Sequence, residues 1–194
     1  MIFGNKGEKQ IQSQHESLDR ADRFYKNQIQ NYLNEKMLNL IERQDMVFIA
    51  TSDSNGNCDC SPRFGKPGFV VPLNKYTLAY PEYKGNGVFA SLGNISENPH
   101  IGMVFIDFFN TTVGLHVNGR ANSYLLNELP KKFLTMINNL SKNIDTHIER
   151  WVIIEIDEAY IHCSKHVPKL EKKNKKIIWG TDNKKEKSVN FFKK

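Results

Sequence analysis

The spacing of apolar residues along the chain changes once, near residue 45. Over residues 24–41, apolar side chains recur mostly every three or four positions, with charged residues between them. That period is typical of an amphipathic helix. Ser13 and Glu16 have the spacing of a capping box, in which two side chains satisfy amides at a helix start. We therefore expect helical structure over 13–43, preceded by a flexible N-terminus over residues 1–12.

From residue 46 onward, short apolar runs alternate with turn residues, which indicates β-strands. The Asn-Gly pair at 55–56 favours a hairpin between the strands on either side of it. The last strand is expected to bend at Asp157. Strands are predicted at 46–51, 58–62, 69–73, 77–80, 100–107, 113–121 and 151–163, and helices at 88–96 and 125–140. Six or seven antiparallel strands with two or three helices predict a mainly β fold, a β-barrel with flanking helices.

The length of 194 residues suits one domain with one core, and no repeat or linker divides the chain. We assign residues 13–165 to this domain and residues 166–194 to a basic C-terminal tail. From Lys165 onward there are eleven lysines against three acidic residues, while the rest of the chain is close to neutral. A basic tail can contact nucleic acid or an acidic membrane surface. No motif with interleaved aromatic residues supports nucleic-acid binding, so we expect a solvated end without such a partner.

Composition also bears on the location of the protein. No apolar run approaches the roughly 20 residues that a membrane-spanning helix needs, so no membrane partner is expected. The first ten residues lack the apolar centre of a secretion signal. The three cysteines, Cys58, Cys60 and Cys163, are an odd and low number. Such a count is typical of a reducing compartment without a disulfide framework, so the sequence predicts a cytoplasmic protein.

Two loops combine glycines with basic residues. The first, over 61–68, carries Arg63 and Lys66, and the second, over 80–87, carries Lys84 before a predicted helix start. Glycines let backbone N–H groups approach an anion, cations add charge-assisted hydrogen bonds, and a helix N-terminus favours phosphate. The two loops can therefore converge on one phosphate group. On the residues alone, two ordinary turns are the commoner explanation of such loops.

Three segments together resemble a known family. They are Val-Phe-Ile-Ala-Thr-Ser-Asp-Ser-Asn-Gly at 47–56, Ser-Glu-Asn-Pro-His at 96–100 before a strand, and Val-Asn-Gly-Arg-Ala at 117–121. In this order they resemble the pyridoxamine 5′-phosphate oxidase-like family of FMN-binding split β-barrels, over about residues 30–165. The resemblance implies flavin mononucleotide (FMN) as cofactor. It also implies a homodimer with two FMN sites at the subunit interface.

The resemblance also implies which residues bind the cofactor. In such relatives, basic and hydroxyl groups of the second strand and of the turn before the short helix hold the phosphate. The backbone around Tyr80 and Pro81 would lie at the edge of the flavin ring. The alignment of the second strand leaves Ser61 and Arg63 as alternatives, so both are kept. The implied phosphate-binding residues are Ser61, Arg63, Lys66, Lys84, Gly85 and Asn86.

The C-terminal sequence departs from the true oxidase. That enzyme has a Trp-Gly turn followed by an Arg-x-His-Asp-Arg motif, whereas here Trp179 and Gly180 are followed by Thr-Asp-Asn-Lys-Lys-Glu. Oxidation of pyridoxamine phosphate is therefore not expected, and the substrate is open. Trp179 either covers the flavin or anchors the tail to the barrel.

A cluster of reactive residues closes the last strand, with His162, Cys163, Lys165 and His166 in five positions. It fits a metal site, a reactive thiol, the basic rim of a flavin or substrate pocket, or plain structural packing. Some flavin-binding relatives have a similar His-Cys-x-Lys end to the barrel, and this resemblance implies the pocket rim, to which we assign His162 and Lys165. We expect no metal, because Cys-x-x-Cys pairs are lacking and adjacent residues of a strand point to opposite faces.

The sequence thus predicts an FMN-dependent oxidoreductase that acts on an unknown small molecule. No catalytic residue is assigned, because the cofactor itself transfers the hydride or electrons. One alternative is a flavin-binding carrier or sensor without enzymatic activity. Another is a split barrel that binds haem or a deazaflavin, with His162 and His166 as candidate axial ligands.

Overall fold

A computed structural model of the chain describes residues 4–140, 147–181 and 183. The expectations for residues 1–3, for the loop at 141–146 and for the last part of the basic tail lie outside these residues. The described elements, in chain order, are α1 (Lys6–Gln14), α2 (Leu18–Gln28), α3 (Glu35–Arg43), β1 (Met46–Ser52), β2 (Cys58–Phe64), β3 (Val71–Asn74), β4 (Thr77–Tyr83), α4 (Ala90–Glu97), β5 (His100–Ile106), β6 (Gly114–Leu125), α5 (Lys131–Leu140) and β7 (Ile148–His162).

The strands form a single seven-stranded antiparallel sheet in the order β2-β1-β5-β6-β7-β4-β3. The mainly β prediction is thus confirmed. β2 and β4 are not neighbours in this order, yet Nε of Arg63 on β2 lies 2.8 Å from Oε1 of Glu82 on β4. The sheet must therefore curl until its two halves face each other, as in a barrel that is open along one side.

The register explains which side chains fill the barrel. Ile49, Met103, Val117 and Ala159 lie opposite one another on four neighbouring strands and are fully buried. The amphipathic helix α3 buries Met37, Leu40 and Ile41 against the same core. Burial of such apolar side chains is the main stabilising contribution to folding.

A second row of side chains lies on the outer face of the sheet. Phe48, Val104, His116 and Tyr160 are aligned across β1, β5, β6 and β7. All four side chains are only partly buried. The alternation of the strands therefore leaves a half-covered, largely apolar outer face.

The predicted bend in the last strand is confirmed. The β6–β7 register shifts between Asn118 and Gly119, and Asp157 has no partner in the ladder. A Cβ atom at position 119 would lie 2.1 Å from the carbonyl oxygen of Glu155. Only glycine allows the two backbones to approach this closely.

The first helix begins earlier than predicted. Helix α1 starts after Asn5, whose side chain accepts a hydrogen bond from the Glu8 amide at 2.9 Å and donates one to the Glu8 carboxylate. Ser13 therefore lies in the last turn of α1 and caps no helix, so the predicted start at Ser13 is wrong. Residues 6–12, which were expected to be flexible, are helical.

The helix predicted from residue 125 is also wrong at its start. β6 continues to Leu125 because the long strand β7 provides a partner, Arg150, opposite it. Helix α5 begins only at Lys131, after Pro130. No described helix has the length and apolar character that crossing a membrane requires.

Candidate functional site

A cleft of about 560 Å³ lies where the two halves of the sheet meet. Its walls are β2, the end of β4, the turn at 84–89, the first turn of α4, and a short piece of the tail. The cleft brings together most of the residues that the sequence analysis assigned to cofactor binding. These are Ser61, Arg63, Pro81, Lys84, Gly85, Asn86 and Trp179.

The pleat of β2 determines which of its residues face the cleft. Ser61 and Arg63 are partly buried and lie opposite Ile49 and Val47, both core residues of β1. The neighbouring Pro62 is exposed and lies opposite Phe48, on the outer face. Both alternatives for the phosphate ligand of this strand therefore lie on the inner face.

The turn before α4 provides the other wall of the cleft. Asn86 accepts a hydrogen bond from the Val88 amide at 2.9 Å, and Gly87 has a positive φ of 80°. No described side chain caps α4, which begins at Ala90 beside the cleft. An uncapped helix start presents amide hydrogens and the positive end of the helix dipole, both of which favour an anion.

Two carboxylates in the cleft were missed by the sequence analysis. Asp59 accepts hydrogen bonds from the hydroxyl of Ser61 at 2.9 Å and from that of Ser91 at 3.0 Å. Asp59 lies two residues before Ser61 on the same strand, so alternation along β2 would have indicated its position. This carboxylate ties β2 to the first turn of α4.

The second carboxylate, Glu82, pairs with Arg63. The Arg63 Nε atom donates to Glu82 Oε1 at 2.8 Å, and the two side chains are only 20% and 13% exposed. Burial raises the pKa of Glu82 above its ordinary value, although the neighbouring Arg63 opposes the shift. The charge that could hold a phosphate in this strand is therefore already paired with an anion of the protein.

Trp179 forms an aromatic wall of the cleft. Its ring stacks on that of Tyr83 with centroids 5.9 Å apart and planes inclined by 25°. The next residue, Gly180, has a positive φ and packs against His147, where a Cβ atom would come within 2.5 Å of the His147 Cβ. The Trp-Gly turn thus fits tightly against the end of the sheet.

Four predicted site residues lie away from the cleft. Lys66 is exposed beyond the end of β2, and the Tyr80 side chain is fully buried in the core. The Tyr80 hydroxyl has no hydrogen-bond partner among the described residues. His162 and Lys165 lie at and beyond the end of β7 and do not line the cleft.

His162 instead contacts another histidine. Its Nδ1 atom lies 2.9 Å from Nε2 of His116, whose ring stacks on Tyr160 with centroids 4.6 Å apart. Burial lowers the pKa of His116, and His162 lowers it further. Within the described part of the chain, no three histidine, cysteine, aspartate or glutamate side chains form a group able to hold a metal.

The donors of the cleft fit a ligand with a phosphate and an aromatic ring. Arg63, Lys84 and the start of α4 can bind the phosphate, while Trp179 and Pro81 offer apolar surface for a ring. The volume lies within the range of pockets that bind small molecules. The negative charges of Asp59 and Glu82 disfavour a bound anion. The Ser61 hydroxyl must release Asp59, and the Arg63 guanidinium must release Glu82, before either can donate to the phosphate.

Comparisons with known proteins place this geometry in context. The family model described as pyridoxamine 5′-phosphate oxidase matches residues 33–162. A comparison with curated proteins found no match. HupZ from Group A Streptococcus has a similar structure, with a TM-score of 0.51 and 18% sequence identity over 66% of this chain and 91% of that chain. A Lactobacillus delbrueckii protein named for pyridoxamine 5′-phosphate oxidase has a TM-score of 0.50 and 23% identity, over 68% and 95% of the two chains.

Proposed function

Because this chain belongs to the pyridoxamine 5′-phosphate oxidase family, we propose that it binds FMN in the cleft between β2, β4 and α4. The supporting observation is that the fold brings Arg63 of β2 and Lys84 of the turn before α4 to one cleft. Arg63 and Lys84 would hold the phosphate together with the first amides of α4. Pro81 and Trp179 would contact the flavin ring.

We further propose that the protein is an FMN-dependent oxidoreductase acting on a small molecule. Bound flavin supplies hydride or electron transfer, and the residues of the cleft bind and orient it. The absent Arg-x-His-Asp-Arg motif argues against pyridoxamine phosphate as substrate. A flavin carrier or sensor is the alternative, and reduction of the bound flavin by NADH or NADPH would favour the enzyme.

The proposed assembly is a homodimer. It is supported by the outer row of Phe48, Val104, His116 and Tyr160, which a single chain leaves half-exposed. A second copy on this face would bury that apolar surface. Light scattering of the purified protein tests the assembly, and the mass of one chain would contradict it.

FMN binding is tested by the visible spectrum of the purified protein and by titration with FMN. We expect Lys84→Ala to weaken FMN binding by about tenfold or more, because a charge-assisted contact to phosphate contributes roughly 1.5–3 kcal/mol. Lys36→Ala, at an exposed position of α3 outside the cleft, is the matched control. Arg63→Ala is also expected to weaken FMN binding, by less than an unpaired arginine would, because Arg63 must first leave Glu82.

Three results would contradict the proposal. The first is a protein that neither copurifies with FMN nor binds it when FMN is added. The second is an equal FMN affinity of Lys84→Ala, Arg63→Ala and the control. The third is a Soret band on titration with haem without any flavin binding, which would support the haem alternative.

A further inference from the structure

Arg63 is the cation of β2 that faces the cleft, and it is held by a residue of the facing half of the sheet. Glu82 lies on β4, five positions from β2 in the strand order, so this contact exists only because the sheet curls. The guanidinium makes one further hydrogen bond, from Nη1 to the Pro62 carbonyl oxygen at 3.2 Å. The pair lies in the lining of the cleft and links β2 to β4.

Charged and titratable groups surround Glu82 on several elements. Its own strand carries Tyr80 two residues earlier, and β7 carries Glu149 and, directly opposite in the register, Arg150. The turn after β4 adds Lys84 and β2 adds Asp59 to the same cleft. Among the described lining residues, Asp59 and Glu82 already provide negative charge beside Arg63 and Lys84, and a phosphate would add further negative charge.

We propose that Glu82 competes with the ligand phosphate for Arg63, so that phosphate binding takes up a proton at Glu82. The inference rests on the proposed binding of a phosphate ester, FMN, in this cleft. It assigns Glu82 a role in affinity and specificity without contact to the flavin ring. The proton moves from solvent to a Glu82 carboxylate oxygen, and no other bond forms or breaks.

Phosphate binding would change the charged partners of Glu82. Without a bound phosphate, Arg63 favours the ionised form of the Glu82 carboxylate, whereas burial and Glu149 disfavour that form. When the phosphate takes the guanidinium, the carboxylate loses its ion-pair partner and gains an anionic neighbour. Both changes raise the pKa of Glu82 further, because each destabilises its charged form. Protonation of Glu82 then removes the repulsion.

Linkage gives the direction of the pH dependence. If the bound state holds one proton more than the free protein, affinity falls as pH rises between the pKa of Glu82 in the free protein and its pKa in the complex. Below that window Glu82 is neutral in both states and offers no competition. Riboflavin lacks the phosphate, so it does not need Arg63. Its affinity should not depend on Glu82.

The experiment compares wild type with Glu82→Gln, which keeps an oxygen acceptor for Arg63 but cannot carry charge. FMN and riboflavin affinities are measured by flavin fluorescence between about pH 4 and pH 9, an interval that begins at the ordinary pKa of a glutamate. The FMN phosphate itself titrates near pH 6, but this effect is common to both proteins and cancels in the ratio of their affinities. Glu35→Gln, at an exposed carboxylate of α3, is the matched control.

We expect the ratio of FMN affinities, Glu82→Gln over wild type, to rise with pH. The rise is about tenfold for each unit by which phosphate binding raises the pKa of Glu82. The ratio for riboflavin and the ratio for Glu35→Gln should stay near one. A second measurement needs no variant: calorimetry of wild-type FMN binding in buffers of different ionisation enthalpy should show proton uptake approaching one proton per FMN.

The outcomes separate this inference from the proposed function. FMN binding with the same pH profile in wild type and Glu82→Gln, or without proton uptake, overturns the role of Glu82 and leaves FMN binding intact. A riboflavin affinity that shows the same dependence on Glu82 also overturns it, because the phosphate would then not be the competitor. Absence of FMN binding in wild type overturns both.

Discussion

At the residue scale, the histidine pair on the outer face illustrates how burial controls a charge. His116 and His162 face each other through one ring nitrogen each, 2.9 Å apart, so a single hydrogen can lie between them. Tyr160 stacks on His116 and itself contacts Phe24 of α2. Burial, and then the neighbouring His162, lower the pKa of His116. The folded protein therefore resists protonation at this site more than the unfolded chain does.

This difference predicts a loss of stability in mild acid. Below about pH 6.5 the unfolded chain binds a proton at His116 more readily than the folded protein, so the free energy of unfolding falls as pH falls. We expect His116→Asn to reduce the loss between about pH 7 and pH 5, because asparagine does not titrate. Urea unfolding at the two pH values measures it.

The control for this prediction is His15→Asn, at an exposed position after α1. It should lose as much stability as wild type over the same pH interval. A loss in His116→Asn equal to that of wild type would show that His116 does not carry the effect.

The residues of the cleft show what a sequence can reveal about a site. Ser61 and Arg63 were predicted from composition and resemblance, and the alternation of β2 would also have indicated Asp59 on the same face. Glu82 could not be predicted as a site residue, because its pairing with Arg63 depends on how far the sheet curls. Likewise, the contact of His162 with His116 depends on the β6–β7 register, which no local pattern defines.

At the element scale, the entry to α4 contains a strained residue. Phe89 precedes the helix with a φ of 53°, in the left-handed region, and its side chain is 49% exposed. A bulky residue is rarely found in this conformation, which costs roughly 1–2 kcal/mol without compensation. Phe89 borders the cleft, where local strain is often retained for function.

We therefore expect Phe89→Asn to stabilise the protein by about 1 kcal/mol, because asparagine tolerates the left-handed conformation. Val88→Asn is the matched control, since Val88 is also exposed but has no positive φ. Thermal or urea unfolding measures both variants. A Phe89→Asn protein no more stable than Val88→Asn would show that the strain is compensated by contacts of the phenyl ring.

The elements differ in how well local signals determined them. Hairpin turns and apolar runs predicted all seven strands, because these signals are local. β1 and β5 alternate against one core, whereas β4 and the middle of β7 are buried on both faces. The start of α1 was missed because two capping-box sequences lie eight residues apart and the one at Asn5 and Glu8 forms. The end of β6 at Leu125 was missed because its partner, Arg150, is distant in sequence.

At the scale of the whole molecule, the segment after β7 connects both halves of the barrel. The Leu170 amide donates to the Phe108 carbonyl oxygen at 2.8 Å, and Lys172 pairs with Asp45 before β1. Trp179 then stacks on Tyr83 at the end of β4. The segment thus runs from the β1–β5 side of the barrel to the cleft and brings an aromatic ring to it. The sequence left two roles open for this ring, covering a flavin or anchoring the tail.

Affinity measurements distinguish these two roles of Trp179. If its ring contacts the flavin, Trp179→Ala should weaken FMN and riboflavin equally, by about fivefold or more, because loss of an aromatic contact costs roughly 1 kcal/mol or more. Trp179→Phe should retain most of the affinity for both. Lys84→Ala provides the contrast, since loss of a phosphate contact should weaken FMN alone.

If Trp179 only anchors the tail, Trp179→Ala should lower the unfolding free energy and leave both flavin affinities unchanged. Trp151, which is 2% exposed beneath α5, gives an internal fluorescence signal that reports whether the barrel itself remains folded in the variant. A Trp179→Ala protein with an intact Trp151 signal and wild-type flavin affinity would therefore remove Trp179 from the binding site. Equal weakening of both ligands would show that the ring of Trp179 contacts the flavin.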